Sequence, residues 1–351
     1  MTAIAEYIWI DGENLRSKTK IFSHPKSNSF HIISIDDFPV WNFDGSSTGQ
    51  SVTKNSDLFL KPVYYCTNPF FESTSLIKYY LVLCNVFNSD NTPHETNNYH
   101  KLYELFQQNF KLNTDFNDSW FGIEQEYIIL DKTGNAFDID NISCDKMEYN
   151  HNQHYCSVGT GKALGRHIVY EHMNACIKAG LKICGINSEV TASQWEFQIG
   201  PLNAFDVSNQ LWMARYILIY VAEKYNAIIT FHPKPFAKFN GSGAHTNFST
   251  KEMREKGGIE KIYEAIEKLS KNHKDHIAVY GKYNEQRLIG TNETASINTF
   301  SYGSCDRSSS IRIPLNVLKD GCGYLEDRRP SANIDPYLVT ARILMTIFNL
   351  V

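Results

Sequence analysis

The segment from Trp120 to Leu130, WFGIEQEYIIL, most constrains how this chain can fold. It is rich in aromatic and β-branched residues and has no helical period, which predicts a β-strand. Because side chains alternate across a strand, Glu124 and Glu126 leave one face and Gln125 leaves the other. Two carboxylates two residues apart repel each other and resist burial. The pattern therefore allows two interpretations: a solvated strand face with two surface glutamates, or one wall of a metal site.

Length and composition limit the classes of protein to which the chain can belong. A chain of 351 residues with 42% hydrophobic and 13% aromatic residues is typical of a globular protein with two domains. Its net charge of -4 gives no reason to expect nucleic acid or a membrane as partner. The eight cysteines form no CxxC pair, which argues against a zinc site and a disulfide scaffold. With no signal peptide and no spanning apolar run, we expect a cytoplasmic protein.

The first hundred residues are predicted to be rich in β-strands. Strands are predicted at Tyr7–Ile10, Phe30–Ile35 and Tyr79–Phe87. The segment WNFDGSSTGQ, which contains Asp44, has the Gly, Ser and Asp residues of a loop. The polar segment from Asn88 to Asn98 is the predicted linker, so we expect domains at residues 1–98 and 99–351.

Helices become frequent beyond the linker. They are predicted at residues 101–110, 166–180, 203–225, 253–269 and 335–351, the last with Asp335 as N-cap and Pro336 as first helical residue. A strand–turn–strand is predicted between Ile183 and Ile199, with Glu189 and Glu196 on either side of the turn. Strands and helices mixed without regular alternation indicate an α+β fold.

Several other motifs contain residues that can do chemistry. FNGSGAHTNF places His245 and Asn247 on one strand face, and the segment GYLEDRR does the same for Tyr324, Glu326 and Arg328. Taken singly, each motif has a simple structural explanation, such as a surface ion pair, a structural histidine or a glycine turn.

Taken together, these motifs supply five glutamates and one histidine, a donor set that suits magnesium or manganese better than zinc. The chain also has arginines in largely apolar surroundings: Arg287, Arg307 and Arg312. Arginine together with a divalent metal is the equipment for transferring a phosphoryl group. Because no GxxxxGK[ST] motif is present, this is not a P-loop enzyme.

Six motifs, in their order and spacing, resemble glutamine synthetase of the eukaryotic (class II) type: WNFDGSS, WFGIEQEY, NSEV…QWEFQIGP, FNGSGAHTNFSTKEMRE, RSSSIRIP and GYLEDRRPSAN. The resemblance extends from about Tyr7 to about Thr340. It implies a small β-grasp-like N-terminal domain and a larger glutamine synthetase/guanido kinase-like catalytic domain, with a curved antiparallel sheet and flanking helices. The implied reaction is ATP-dependent ligation of ammonia to L-glutamate through γ-glutamyl phosphate.

The resemblance also implies a role for individual residues. One metal subsite would be formed by Glu126, Glu189 and Glu196, and the second by Glu124, His245 and Glu326. Each active site would hold two to three Mg²⁺ or Mn²⁺ ions in total. ATP would contact Trp120, Asn247, Ser249, Arg307, Arg312 and Tyr324, with Arg312 also catalytic. Glutamate would be held by Asn240, Gly241, Arg287 and Arg328. Asp44 would bind ammonium and take its proton, and Glu293 would lie in a flap that closes over the intermediate.

The implied partners are glutamate, ATP, ammonium and further copies of the chain, in pentameric rings stacked as a decamer. The sequence departs from the family pattern at Thr291 and Asn292, where the family has Phe-His, and we expect this change to affect the flap. Three alternatives use the same scaffold: a ligase for another amine, a kinase of guanidino groups, and an inactive structural or regulatory homologue. Asp44 and Glu293 argue against the first, and the complete ligand set argues against the last.

Overall fold

The computed structural model describes residues 2–23, 34–109, 114–139 and 153–350. They form two compact units. The first unit is Met1–Glu104 with Asn174–Leu181, and the second is Leu105–Met173 with Lys182–Val351. Asp44 belongs to the first unit, and every other candidate site residue belongs to the second.

The first unit contains a five-stranded sheet in the order β2-β1-β5-β4-β3. Its strands are β1 (Thr2–Ile10), β2 (Leu15–Ser23), β3 (Trp41–Asp44), β4 (Asp57–Thr67) and β5 (Ile77–Phe87). All neighbours are antiparallel except β1 and β5. Alternate residues of β1, such as Ala3, Ala5 and Tyr7, are buried in the core of this unit, as period-two alternation requires.

The predicted strand Phe30–Ile35 is not found at residues 34 and 35, the part of it that the structure describes. Residues 30–33 of the predicted strand Phe30–Ile35 lie outside the described residues. A short 3-10 helix begins at Ile35 instead. Ser34 accepts a hydrogen bond from the Asp36 backbone, and its own N–H donates to Asp37 Oδ2 at 2.9 Å, which caps this turn.

The second unit contains an eight-stranded, curved sheet in the order β11-β12-β13-β10-β6-β8-β7, with β9 paired to β6. The strands are β6 (Trp120–Leu130), β7 (Ile183–Ser188), β8 (Gln194–Leu202), β9 (Ile228–Thr230), β10 (Ala244–Ser249), β11 (Tyr302–Ser304), β12 (Ile311–Ile313) and β13 (Leu325–Asp327). The pairs are antiparallel except β11 and β12, so the sheet is mixed at one edge. The predicted strand at Trp120 and the hairpin after Ile183 are confirmed.

The helices are α1 (Asn98–Asn109), α2 (Thr114–Asn117), α3 (Arg166–Ala179), α4 (Ala204–Glu223), α5 (Lys251–Arg254), α6 (Ile259–Lys271), α7 (His273–Ile277), α8 (Leu315–Asp320) and α9 (Pro336–Ile347). Helix α4 packs against β6, β8 and α9. Arg215 of α4 donates to Gln125 Oε1 at 2.6 Å, so this face of β6 is covered and the Glu124 face is left for the site. In the part of the chain that the structure describes, no helix is long and apolar enough to cross a membrane.

The helix predicted from Met253 to Leu269 is wrong, because two helices, α5 and α6, occupy this segment. The chain between them turns at two glycines. Gly257 has φ +85°, and a Cβ on Gly258 would lie 2.2 Å from the Met253 carbonyl oxygen. This geometry excludes a continuous helix. The last predicted helix begins as expected with Asp335 as N-cap, and ends at Ile347 rather than Val351.

Candidate active site

The register of the second sheet brings the predicted metal ligands together. Glu126 on β6 lies opposite Glu196 on β8, and Glu124 lies opposite His245 on β10. On β13, Glu326 lies opposite Arg312 of β12. Residues opposite each other in neighbouring strands have Cβ atoms about 5 Å apart. Side chains far apart in the sequence therefore converge over one face of the sheet.

Two groups of side chains in this cluster could each hold a metal ion. Glu124, His245 and Glu326 form one group, and Glu126, Glu196 and His245 form the other, with the ligand atoms of each group within 4.8 Å of one another. His245 Nδ1 lies 3.6 Å from Glu124 Oε2 and 3.6 Å from Glu326 Oε1, while Nε2 lies 3.9 Å from Glu126 Oε1. Glu189 lines the same cavity but belongs to neither group.

Burial shifts the pKa values of these groups strongly. It raises the pKa of Glu126 to about 7, and together with repulsion from Glu126 it raises the pKa of Glu189 to about 8. The pKa of Glu196 is raised well above its usual range by burial and by neighbouring carboxylates. Burial lowers the pKa of His245, so its imidazole is neutral and its contacts with carboxylates are not ion pairs. A neutral imidazole beside crowded carboxylates is suited to a divalent cation.

Arginines complete the charge pattern of the cavity, which has a volume of about 570 Å³. Arg307, Arg312 and Arg328 line it together with the metal-ligand candidates. Glu326, which is fully buried, accepts a hydrogen bond from Arg328 Nη1 at 2.9 Å and another from Arg312 Nε. Positive and negative groups therefore face the same space, as binding of a phosphate with its metal ion requires.

The predicted glutamate-binding residues line a small adjacent cavity of about 30 Å³. Asn240, Gly241, Arg287 and Arg328 all contribute to its wall. Arg287 is buried, which lowers its pKa to about 10, and its Nη2 donates to the Arg328 carbonyl at 2.9 Å. A Cβ on Gly241 would lie 2.4 Å from the Pro233 carbonyl oxygen and 2.9 Å from Arg287 Cγ, so only glycine allows the backbone this close to both residues.

A mostly apolar cavity of about 440 Å³ lies beside the charged one and shares Glu124 and Gln198 with it. It contains the four remaining residues of the predicted nucleotide set, Trp120, Asn247, Ser249 and Tyr324. No sequence pattern predicted Arg254 here. Its guanidinium lies 3.9 Å from the centroid of the Trp120 ring and donates to the Ser249 carbonyl at 3.1 Å. Arg254 is the last residue of the short helix α5, and no sequence period showed that its side chain would turn back toward β6.

The predicted flap reaches the site through Glu293. This residue lines both the charged cavity and the small one, and its carbonyl accepts a hydrogen bond from Arg328 Nη2 at 3.3 Å. Asn292 and Glu293 are consecutive residues with φ 55° and 60°. Two successive non-glycine residues in the left-handed region are strained, and such strain is often found at functional sites.

Asp44 lies at the end of β3 in the first unit. Its carboxylate accepts hydrogen bonds from Ser47 Oγ at 2.6 Å, from Ser46 Oγ at 2.7 Å and from the Ser46 backbone at 3.0 Å. These bonds lower its pKa to about 2. The carboxylate is therefore fixed and ionised, and its role in the reaction stays a prediction.

Neutral side chains of the charged cavity were also missed by the sequence analysis. Asn187 and Gln198 line it, as does Tyr155. Period-two alternation could have found the first two, because Asn187 lies two residues before Glu189 and Gln198 lies two residues after Glu196. Tyr155 has no such signal.

The chain is similar to known proteins of one family. The family model for the glutamine synthetase catalytic domain matches residues 107–349. Glutamine synthetase of Saccharomyces cerevisiae is 48% identical over 348 residues, covering 98% of this chain and 89% of that protein. The Candida glabrata enzyme is 48% identical over 348 residues (98% and 88% covered), and the Tuber borchii enzyme is 46% identical over 347 residues (98% and 92% covered). The chain therefore belongs to the glutamine synthetase family.

Proposed function

We propose that this chain is a glutamate–ammonia ligase, which uses ATP to join ammonia to L-glutamate and yields L-glutamine, ADP and phosphate. The observation that carries the proposal is the charged cavity, in which carboxylates, a neutral histidine and three arginines face one space. Membership of the glutamine synthetase family gives this cavity its reaction. The γ-carboxylate of glutamate is a poor electrophile, so we infer that it is first phosphorylated by ATP.

The donor set of the cavity suits Mg²⁺ or Mn²⁺, because hard oxygen ligands predominate and no cysteine thiolate is among them. We assign two to three such ions to the site. We assign Glu126, Glu189 and Glu196 to one subsite, and Glu124, His245 and Glu326 to the other. When bound, the ions would neutralise charge on the transferring phosphoryl group. The desolvated carboxylates, with raised pKa values, are the groups that gain most from such ions.

The nucleotide is assigned to the apolar cavity and the adjoining arginines. Trp120, Asn247, Ser249 and Tyr324 would surround the nucleoside, and Arg307 and Arg312 would contact the phosphates. We assign a catalytic role to Arg312 because its guanidinium can neutralise charge on the phosphoryl group as it transfers. The apolar wall of the cavity supports the placement of the nucleoside, since a purine base stacks on apolar and aromatic surfaces.

Glutamate is assigned to Asn240, Gly241, Arg287 and Arg328, in the small cavity next to the metal ligands. Glu293 would close over the γ-glutamyl phosphate and exclude water, which otherwise hydrolyses it. Asp44 would bind ammonium and accept its proton, because ammonium itself is not nucleophilic. The hydrogen bonds from Ser46 and Ser47, which keep Asp44 ionised, support its role as a cation site.

We further propose that residues 1–98 form a β-grasp-like domain and residues 99–351 the catalytic domain. The homo-oligomer would consist of pentameric rings stacked as a decamer, in which Asp44 of one subunit completes the site of its neighbour. Membership of the glutamine synthetase family supports this proposal. We expect the protein to work in the cytoplasm.

Phosphate release by the purified full chain with ATP, Mg²⁺ and glutamate tests the proposed function. We expect release that depends on ammonium and matches the glutamine formed. Release stimulated by another amine but not by ammonium would instead identify a γ-glutamyl-amine ligase. No release under any of these conditions would identify an inactive homologue.

A further inference from the structure

Four of the proposed metal-ligand carboxylates each accept a hydrogen bond from a carboxamide side chain. No sequence motif predicted this feature. The pairs are Asn247 Nδ2 to Glu124 Oε1 at 2.8 Å, Gln194 Nε2 to Glu126 Oε2 at 3.1 Å, Asn187 Nδ2 to Glu189 Oε1 at 2.8 Å, and Gln198 Nε2 to Glu196 Oε1 at 2.7 Å. The fifth carboxylate, Glu326, is held instead by two arginines.

Alternation along the strands explains two of these four pairs. Asn187 and Glu189 are two residues apart near the end of β7, and Glu196 and Gln198 are two apart on β8, so each amide points to the same side as its carboxylate. Gln198 is also the cross-strand partner of Glu124. Carboxylates and amides therefore alternate over the face of the sheet that lines the charged cavity.

An amide and an arginine have different effects on a carboxylate. An amide N–H occupies one lone pair and limits rotation about the terminal torsion, which is otherwise broad. It leaves the negative charge in place and the remaining lone pairs free for a cation. An arginine also orients the carboxylate, but its positive charge competes with the metal ion. Four neutral donors thus fix the orientation of four carboxylates and preserve their affinity for cations.

We propose that Asn187, Gln194, Gln198 and Asn247 are positioning residues that orient the carboxylates for divalent cations. This inference rests on the proposed function, because the cations belong to that site. Gln198 gives the sharpest test, since its amide donates to Glu196 and it is only half-buried. Gln194 is less suitable, because it also donates to the Gly241 carbonyl and to Ser242 Oγ.

The test is the affinity of the full chain for Mn²⁺ alone, measured from the electron paramagnetic resonance signal of the free ion. We expect Gln198→Met, which keeps the shape but removes the donor, to weaken Mn²⁺ binding about tenfold to a hundredfold. The melting temperature in chelator should stay close to that of the wild type. Half-saturation of activity by Mn²⁺ should shift in parallel with this affinity.

Gln210→Met is the matched control. Gln210 is a buried amide on α4 whose Oε1 accepts a hydrogen bond from the Lys182 backbone at 2.7 Å, and it does not line the charged cavity. We expect this variant to lower the melting temperature and to change the Mn²⁺ affinity by no more than about twofold, because it leaves the carboxylates untouched.

The outcomes separate this inference from the proposed function. Wild-type affinity in Gln198→Met would overturn the inference, whereas a wild-type chain that binds no Mn²⁺ would overturn the proposed metal site itself. If Gln198→Met fails to fold, Asn187→Leu provides the same comparison at Glu189. An equal loss of affinity in Gln210→Met would also contradict the inference, because the effect would then be one of stability alone.

Discussion

The buried carboxylates Glu126, Glu189 and Glu196 resist ionisation unless a cation is nearby. Glu126 and Glu196 lie opposite each other on neighbouring strands, and both are buried. Removal from water disfavours the ionised form, and like charges add to this effect. The protein without metal therefore keeps protons on this cluster near neutral pH. A divalent ion must displace them, so metal affinity and pH are linked.

This linkage predicts how metal stabilises the protein at different pH values. Carboxyls of the unfolded chain titrate at about 4.3, whereas the pKa values of Glu126 and Glu189 are about 7 and about 8. The folded state without metal therefore holds extra protons, and its free energy of unfolding falls as the pH rises through 7 and 8. We expect Mn²⁺ to raise the melting temperature, relative to chelator, more at about pH 8.5 than at about pH 6.

Calorimetry in buffers of different ionisation enthalpy should detect protons released on Mn²⁺ binding. Glu196→Ala is the control, because it removes a ligand candidate and should abolish most of the stabilisation by metal. An equal effect of Mn²⁺ at both pH values, with no proton release, would contradict the linkage.

A second prediction at this scale concerns Asp44. Asp44→Asn keeps the shape of the side chain but cannot accept a proton, so we expect glutamine synthesis to fall by about a hundredfold or more. Formation of γ-glutamyl phosphate, measured as ATP cleavage trapped without ammonium, should change far less. Normal glutamine synthesis by this variant at neutral pH would show that Asp44 does not have the proposed role.

At the scale of elements, the flap around Glu293 is where the resemblance implies a departure from the family pattern. Asn292 and Glu293 both have positive φ, and asparagine and histidine are the non-glycine residues that tolerate this region best. Backbone hydrogen bonds close the flap at its base, for example from Ile297 N to the Leu288 carbonyl at 2.8 Å. Position 292 can therefore change its side chain without changing its backbone.

We predict that Asn292→His, which introduces the residue that the resemblance implies at this position, lowers the ratio of wasted ATP hydrolysis to glutamine formed by about twofold or more. The larger ring should exclude more water from the intermediate. Asn292→Ala is the control. A positive φ costs about 1 kcal/mol more with alanine than with asparagine, so we expect the ratio to rise in this variant. The ratio is measured at low ammonium, and an unchanged value in both variants would show that residue 292 does not protect the intermediate.

At the scale of the whole molecule, the proposed assembly completes each active site with Asp44 from a neighbouring subunit. We predict that two inactive variants, Asp44→Ala and Glu196→Ala, regain activity when refolded together in equal amounts. If sites are shared between subunits, random mixing leaves about a quarter of the interfaces with both residues intact, and about that fraction of activity should return.

Each variant refolded alone is the control and should stay inactive. No recovery on mixing would show that the whole site forms within one chain. Sedimentation showing an active monomer would contradict the proposed assembly directly.

The sequence by itself determined the local structure and the chemical class of the site. Strand β6, the hairpin that carries Glu189 and Glu196, and the start of α9 follow from side-chain period and capping residues, which act over a few positions. The ordered motifs indicated the family before any geometry was known. The prediction of one long helix from Met253 was wrong. The helix is interrupted because Gly258 approaches the Met253 carbonyl closely, and the hydrophobic period of the sequence does not show this contact.

Only the tertiary structure decided which side chains meet. Register places Glu126 opposite Glu196, brings both nitrogens of His245 close to carboxylates, and pairs each of four glutamates with an amide. These relations join strands separated by many residues, and their energy comes from burial and from the field of neighbouring charges. The sequence thus named the ligand candidates, while the fold set their spacing, their protonation and the neutral residues that hold them.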